Sequence, residues 1–365
     1  MTDKVLKVGI IGCGGIANGK HMPALATVPD VEMVAFCDII RERAEKAAKE
    51  YGTPDAKVYE DYKELLKDES IDIVNVCTPN RSHSFISIDA LEAGKHVMCE
   101  KPMAKTYAEA VAMCEAAERT GKKLTIGYQN RQTAQNLYVK QCAEDGVFGD
   151  IYYAKALAIR RRAVPTWGVF LNEYEQGGGP LIDIGTHALD MTLWVMNNYE
   201  PEMVVGQTFR KLADDPAGEQ GNAWGDWEPE KFTVEDSAFG FVRMKNGALI
   251  NLESSWAINL ATPVEAAYMI AGTKAGADTV DGARINYIRN NRQCIEKPDL
   301  HAGGAAFFEG KSNGEPHMIE CHKWIKAIRE DTDPCVLPRQ AATVTRILEG
   351  IYNSAKSGKP VFFDD

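Results

Sequence analysis

Asp183 and His187 are the residues of this chain whose types and spacing first suggest chemistry. They lie four positions apart in Gly177-Gly178-Gly179-Pro180-Leu181-Ile182-Asp183-Ile184-Gly185-Thr186-His187-Ala188-Leu189-Asp190. The glycines and the proline close one segment and open a helix, since proline suits a first helical turn. Mostly apolar residues run on to Trp194 and Met196, which predicts a largely buried helix. At i and i+4 a carboxylate and an imidazole share one face and can reach each other. Such a pair either fixes a core histidine or handles protons, and spacing alone leaves both open. Lys101, in Glu100-Lys101-Pro102, is the third candidate. It follows a short apolar run at 96–99 and precedes a turn, where a lysine is either solvated or set to stabilise negative charge.

The elements that must position these groups begin at the N-terminus. Residues 4–11 form a β-rich apolar run, and Gly12-Cys13-Gly14-Gly15-Ile16-Ala17 follows at once. This is G-x-G-x-x-A between a strand and a helix, as a dinucleotide fold requires. Gly12 permits the tight turn, Gly14 lets the backbone approach a pyrophosphate, and Ala17 allows close helix–strand packing. A second apolar run, 31–37, ends in Asp38, where a carboxylate accepts ribose hydroxyls and repels a 2′-phosphate. Alternation continues with a helix over 40–51, a strand over 71–77 ending in Thr78-Pro79-Asn80, and a helix over 83–93. The strand 96–99, a helix over 107–120 and a strand over 123–127 complete this half. Tyr128-Gln129-Asn130-Arg131 follows.

After a helix around 136–144 the pattern changes. Residues 150–162, 201–212, 236–244 and 248–256 read as longer strands, and Asn246-Gly247 is a strong hairpin signal. The second half is therefore expected to be mainly antiparallel sheet with the Gly177 helix against it. The loop 213–230 suits a lid or a subunit contact. Arg160-Arg161-Arg162 is either an anion site or a strand with two exposed arginines. Trp167 and the stretch Trp224 to Trp227 offer aromatic faces to a sugar ring, or pack the loop. Two amphipathic helices, 317–329 and 340–357, are expected to cover the sheets.

Composition bounds the partners. The net charge of −11 argues against nucleic acid and against an anionic membrane surface. No apolar run is long enough to span a bilayer, and the N-terminus lacks the layout of a signal peptide. Nine cysteines without paired spacing suit reduced thiols in a cytoplasm. His317, Cys321 and His322 share a helix at metal-ligand spacing, but ordinary side chains on an amphipathic helix are the favoured reading and no metal is expected.

GCGGIA at 12–17, Asp38, CTPN at 77–80, EKP at 100–102 and GGGPLIDIGTH at 177–187 occur in that order. Together they resemble the Gfo/Idh/MocA family, the glucose–fructose oxidoreductase and inositol dehydrogenase group, over nearly the whole chain. The resemblance implies an α/β protein with an N-terminal Rossmann domain (1–127). A C-terminal α/β domain (128–365) with a large, mostly antiparallel open sheet would bind substrate and build a homo-oligomer: dimer, tetramer or higher. The C-terminal helix is a candidate to pack back on the Rossmann half. A cleft between the domains would bring Lys101, Asp183 and His187 around the reacting carbinol. Cofactor contacts to NAD are expected from Gly12, Gly14, Gly15, Ile16, Asp38, Thr78, Asn80, His83, Glu100, Lys101 and Gln129. Substrate contacts are expected from Lys101, Asn130, Arg131, Arg162, Trp167, Asp183 and His187. The implied activity is oxidation of a ring secondary hydroxyl of a sugar, inositol or glycoside, with C3 of a glucoside the first choice. The rivals are a redox-neutral glycosidase or lyase acting through a transient 3-keto sugar, and a non-catalytic NAD-binding regulator.

Overall fold

Six short runs become the parallel strands β1 (Leu6–Ile11), β2 (Val31–Cys37), β3 (Lys57–Tyr59), β4 (Ile73–Val76), β5 (His96–Cys99) and β6 (Leu124–Ile126). β4 is buried along its whole length, as a strand covered on both faces must be. The computed structural model describes residues 4–215, 217–300 and 315–363. The strand order is β3-β2-β1-β4-β5-β6, so the chain reverses its direction of travel between β1 and β4. That is the switch point at which doubly wound sheets take ligands at their strands' C-terminal ends. Helices alternate with the strands for local reasons. Tyr107–Thr120, for instance, starts on a Thr106/Glu109 capping box and stops at Gly121, whose φ of 66 suits a residue without a Cβ.

β3 and the helix Tyr62–Leu66 have no counterpart among the elements expected from the sequence. An edge strand of three residues, none of them fully buried, carries too little hydrophobic periodicity to be read.

The chain divides into two compact units, Met1–Gln129 with Gly314–Ala342, and Asn130–Asn313 with Thr343–Asp365. Within the first, the helix Pro316–Arg329 sets Cys321, Trp324 and Ile325 into the core that holds Leu6, Val8 and Phe36. His322 Nε2 meets Thr27 Oγ1 at 2.9 Å. Among the described residues, no group of His, Cys, Asp and Glu is placed to hold a metal ion.

The second unit is built on β7 (Ile151–Ile159), β8 (Pro201–Phe209), β9 (Ser237–Met244), β10 (Leu249–Ser255), β11 (Ala267–Gly272), β12 (Ala275–Asp278), β13 (Arg284–Arg289), β14 (Arg292–Glu296) and β15 (Val361–Phe362). Their order is β14-β13-β12-β11-β7-β10-β9-β8-β15. Only the central pair β7 and β10 is parallel; the other neighbours run antiparallel. Asn246-Gly247 turns β9 into β10, with Gly247 at φ 85. One face of this sheet is covered. A Cβ on Gly240 would lie 2.4 Å from Ile351, which shows how closely the helix Pro338–Ser357 approaches β9.

The segment after Gly177 is not one α-helix. Leu181–Gly185 is π-helical and runs directly into the α-helix Thr186–Met196. A wider turn keeps the same run of apolar side chains, so periodicity does not reveal it; such turns recur at functional sites. No helix among the described residues is long and apolar enough to cross a membrane.

Candidate active site

In the first unit the candidate groups gather at the C-terminal ends of β1, β2, β4 and β5. Gly12 follows β1 at φ 90, and a Cβ there would come within 2.6 Å of the Cys77 carbonyl. Only glycine serves. A Cβ on Gly14 or Gly15 would meet nothing within 4 Å, so the loop presents an open backbone edge. Ile16 is partly exposed beside it, and Ala17 is fully buried, as close packing of helix on strand requires.

Asp38 closes β2 on this loop. Its Oδ2 accepts the N–H of Cys13 at 2.9 Å and its Oδ1 accepts that of Ile40 at 2.9 Å. Thr78 Oγ1, at the end of β4, is buried with no partner among the described residues. An orphaned hydroxyl across the switch point from an open glycine loop fits a crevice made for a dinucleotide. Asn80 and Gln129 are partly exposed at neighbouring strand ends.

His83 and Glu100, expected at the cofactor, both have partners within the protein. His83 is fully buried, with Nδ1 2.8 Å from the Pro102 carbonyl oxygen and Nε2 2.8 Å from that of Thr78. Burial lowers its pKa even though both partners are acceptors. The ring therefore ties two loops together. Glu100 is buried against His21, whose Nε2 lies 2.7 Å from Oε1, while Oε2 accepts the main-chain N–H of Lys101 at 3.2 Å. The Lys101 side chain is partly exposed at the end of β5.

In the second unit, Glu235 organises the glycine-rich segment. It accepts N–H donors from Gly179 at 2.9 Å and Leu181 at 3.2 Å, and the hydroxyl of Tyr352 at 2.8 Å. Ser254 Oγ donates to the Pro180 carbonyl at 2.7 Å. The segment is thereby pinned, and residues 178–193 are buried except for Asp183 and His187. Those two alone reach the surface.

Asp183 has company that sequence reasoning missed. Trp256 Nε1 donates to its Oδ2 at 3.0 Å, and Arg160 Nη1 lies 3.9 Å from the same oxygen. Arg160 also bonds Glu265 at 2.5 Å and lies over the Trp224 ring at 5.3 Å. Trp224 meets Trp167 edge-on, centroids 4.9 Å apart, and both indoles are about half exposed. The only hints were the arginine block at 160–162 and the tryptophans themselves.

Two expected substrate contacts are otherwise engaged. Arg131 is 1% exposed and forks onto Asp190, with Nε and Nη2 at 2.9 and 2.6 Å from its two oxygens. It neutralises a buried carboxylate. Arg162 bonds the carbonyls of Arg161 and Ile258 and the side chain of Asn259, fastening a loop. Asn130 stays partly exposed. A hollow of about 860 Å³ near Lys140, Asp150 and Asn198 includes none of the candidate residues.

Residues 6–128 match the model of an oxidoreductase family with an NAD-binding Rossmann fold, and residues 140–363 match the C-terminal α/β domain of the same family. The chain belongs to the Gfo/Idh/MocA family. It is 35% identical over 368 residues to the D-glucoside 3-dehydrogenase of Escherichia coli, covering 99% of this chain and 98% of that one. It is 29% identical to the levoglucosan dehydrogenase of Pseudarthrobacter phenanthrenivorans, over 89% of this chain and 90% of the other. A solved levoglucosan dehydrogenase in complex with NADH superposes with a TM-score of 0.81 at 24% identity, covering 98% of each chain. At that identity the likeness speaks for the fold. The first unit is thus an NAD-binding Rossmann domain.

Proposed function

We propose that the chain oxidises a ring secondary hydroxyl of a sugar, inositol or glycoside to the ketone, with C3 of a glucoside as the preferred position and NAD as the cofactor. The observation that carries the chemistry is the selective exposure of Asp183 and His187 on an otherwise buried segment. The similarity to a D-glucoside 3-dehydrogenase along the full chain supports the substrate class.

NAD, held along Gly12, Gly14, Gly15 and Ile16 with Asp38 at its ribose hydroxyls, supplies the hydride acceptor. The protein's own groups handle the proton and the charge. His187 takes the hydroxyl proton as general base, contributing about 10²–10⁴-fold. The Lys101 ammonium donates a hydrogen bond to the same oxygen and stabilises the negative charge that develops on it. Asp183 accepts a neighbouring substrate hydroxyl. Trp167 and Trp224 present apolar faces of the kind that receive a sugar ring.

A panel of glucosides, free hexoses and inositols, followed at the absorbance of the reduced nicotinamide, tests this reading. Turnover should be highest with glucosides and give a 3-keto product. Turnover of open-chain 2-hydroxy acids or aldehydes alone would overturn it.

A homo-oligomer assembled through the uncovered sheet face completes the reading. That face offers Phe239 and Phe241, partly buried, beside the exposed Val205 and Phe209, an apolar surface of the kind that associates. Light scattering should give at least a dimer at micromolar concentration. Buried thiols at Cys13, Cys37, Cys77, Cys99, Cys114 and Cys321 suit a reducing cytoplasm.

A further inference from the structure

The turn that carries Lys101 is built on a buried carboxylate, and that carboxylate has one short side-chain partner. Glu100 is 6% exposed and His21 is 5% exposed. His21 Nε2 and Glu100 Oε1 are 2.7 Å apart, and the other oxygen of Glu100 turns back to take the N–H of Lys101. His21 ends the π-helical turn Ala17–His21, which follows the glycine loop directly. The ring therefore links the element after the phosphate loop to the element bearing Lys101.

We propose that His21 is a positioning residue for Lys101: as an imidazolium it fixes the Glu100 carboxylate, and through it the main chain at Lys101. The proposal rests on the role given to Lys101 under the proposed function.

A buried carboxylate without a counter-charge is expensive, and it either protonates or finds a cation. A protonated or wandering Glu100 would release the Lys101 N–H. The neighbourhood agrees with an ion pair. Burial opposes charge on His21, but Cys77 and Glu100 outweigh it and raise its pKa well above the ordinary imidazole value. Burial likewise works against ionised Glu100, yet His21, Lys101 and His317 bring its pKa down to about 2. His317, facing from the helix Pro316–Arg329, is lowered to about 4 by burial, with Lys20 and His21 adding to the effect. These directions favour charge on the histidine beside the carboxylate over the more distant one. Asn75 Nδ2 lies 3.0 Å from His21 Nδ1, and Asn75 Oδ1 is buried with no partner among the described residues. Its amide can turn either atom to the ring, and an imidazolium requires the oxygen there.

This arrangement has consequences that a purely structural histidine lacks. His21→Gln keeps a donor toward Glu100 but removes the charge. In the full-length protein it should lower kcat about 10- to 100-fold, the scale of a misplaced catalytic group, while leaving KM for the glucoside and Kd for NAD unchanged. Glu100→Gln should do the same.

Two measurements need no substrate. In ¹⁵N spectra of the wild type, both ring nitrogens of His21 should stay protonated from pH 6 to pH 8. In protein reductively methylated with ¹³C-formaldehyde, the Lys101 signal should move in His21→Gln. A neutral His21 at pH 7, or a Lys101 signal identical in both proteins, would overturn the proposal whatever the substrate. A variant that melts earlier but keeps wild-type kcat per folded molecule would overturn it too. A wild type inactive on every glycoside would instead count against the functional reading, while the two spectra still decide on His21.

Discussion

The indole N–H of Trp256 donates to Asp183 Oδ2 at 3.0 Å, and the Arg160 guanidinium lies 3.9 Å from the same oxygen. The carboxylate is thus held from the sheet, by the residue after β10 and the residue after β7. That anchoring suits a group meant to hold a substrate hydroxyl at a fixed place. Asp183→Asn should raise KM for a glucoside about 10- to 100-fold, the worth of a hydrogen bond to a charged group, with a smaller fall in kcat. If kcat falls alone, Asp183 acts by orienting His187 instead. Steady-state kinetics on the purified variant separates the two.

His187→Ala should remove proton abstraction. The expected loss in kcat is about 10²–10⁴-fold, with little change in affinity for NAD. Lys101→Ala should behave alike, and Lys101→Arg should recover little, because a guanidinium spreads its donors over a plane. In the wild type the rate of oxidation should rise with pH as the base loses its proton. A His187→Ala protein with a lower Tm and near-normal turnover would return the histidine to a core-packing role.

Asp38 should make NAD strongly preferred over NADP. Its two oxygens already accept the Cys13 and Ile40 N–H groups, so the carboxylate cannot swing away from a 2′-phosphate. Like charges held together where water is scarce cost several kcal/mol. Arg41, the cation nearest in sequence, is drawn off to Glu45 at 2.8 Å and Glu60 at 3.5 Å. Equal kcat/KM for the two cofactors would refute this. Asp38→Ser should narrow the ratio and also loosen the loop at Cys13.

Much of this was legible because it is local. The glycine loop, Asp38 at the end of β2, Lys101 at the end of β5 and the Asn246-Gly247 hairpin each announce themselves within a few residues. What escaped depends on partners far along the chain. Arg131 and His83 looked like ligand contacts, since polar residues beside a motif usually invite that reading. Their partners in the fold are Asp190 for Arg131 and the carbonyls of Thr78 and Pro102 for His83. Arg160 beside Asp183 required β7 and the glycine-rich segment to be folded first. Glu235 stands 56 positions from Gly179, and nothing in its surroundings marks it out.

Glu235 makes the last prediction. Burial pushes its pKa from the ordinary 4.5 up to about 7, against the three donors that favour its charged form. A carboxyl whose folded pKa lies above its unfolded one is protonated in the folded chain first. Between pH 4.5 and pH 7 the native state therefore binds more protons than the unfolded state, and stability from this group falls as pH rises. A tenfold difference in proton affinity between the two states is worth about 1.4 kcal/mol, so the loss across the window is on the order of 3 kcal/mol. Above pH 7 it is flat. Glu235→Gln cannot titrate, though its amide nitrogen opposes one N–H donor and costs about 1–3 kcal/mol at every pH. The wild type should therefore exceed the variant most at pH 5, and the gap should shrink toward pH 8. Urea midpoints for both proteins at pH 5, 6, 7 and 8 measure that gap directly. Because Glu235 pins the backbone at Gly179 and Leu181, the variant should also lose turnover per folded molecule through a displaced Asp183 and His187. A gap that stays constant over the whole range would show that Glu235 titrates alike in both states.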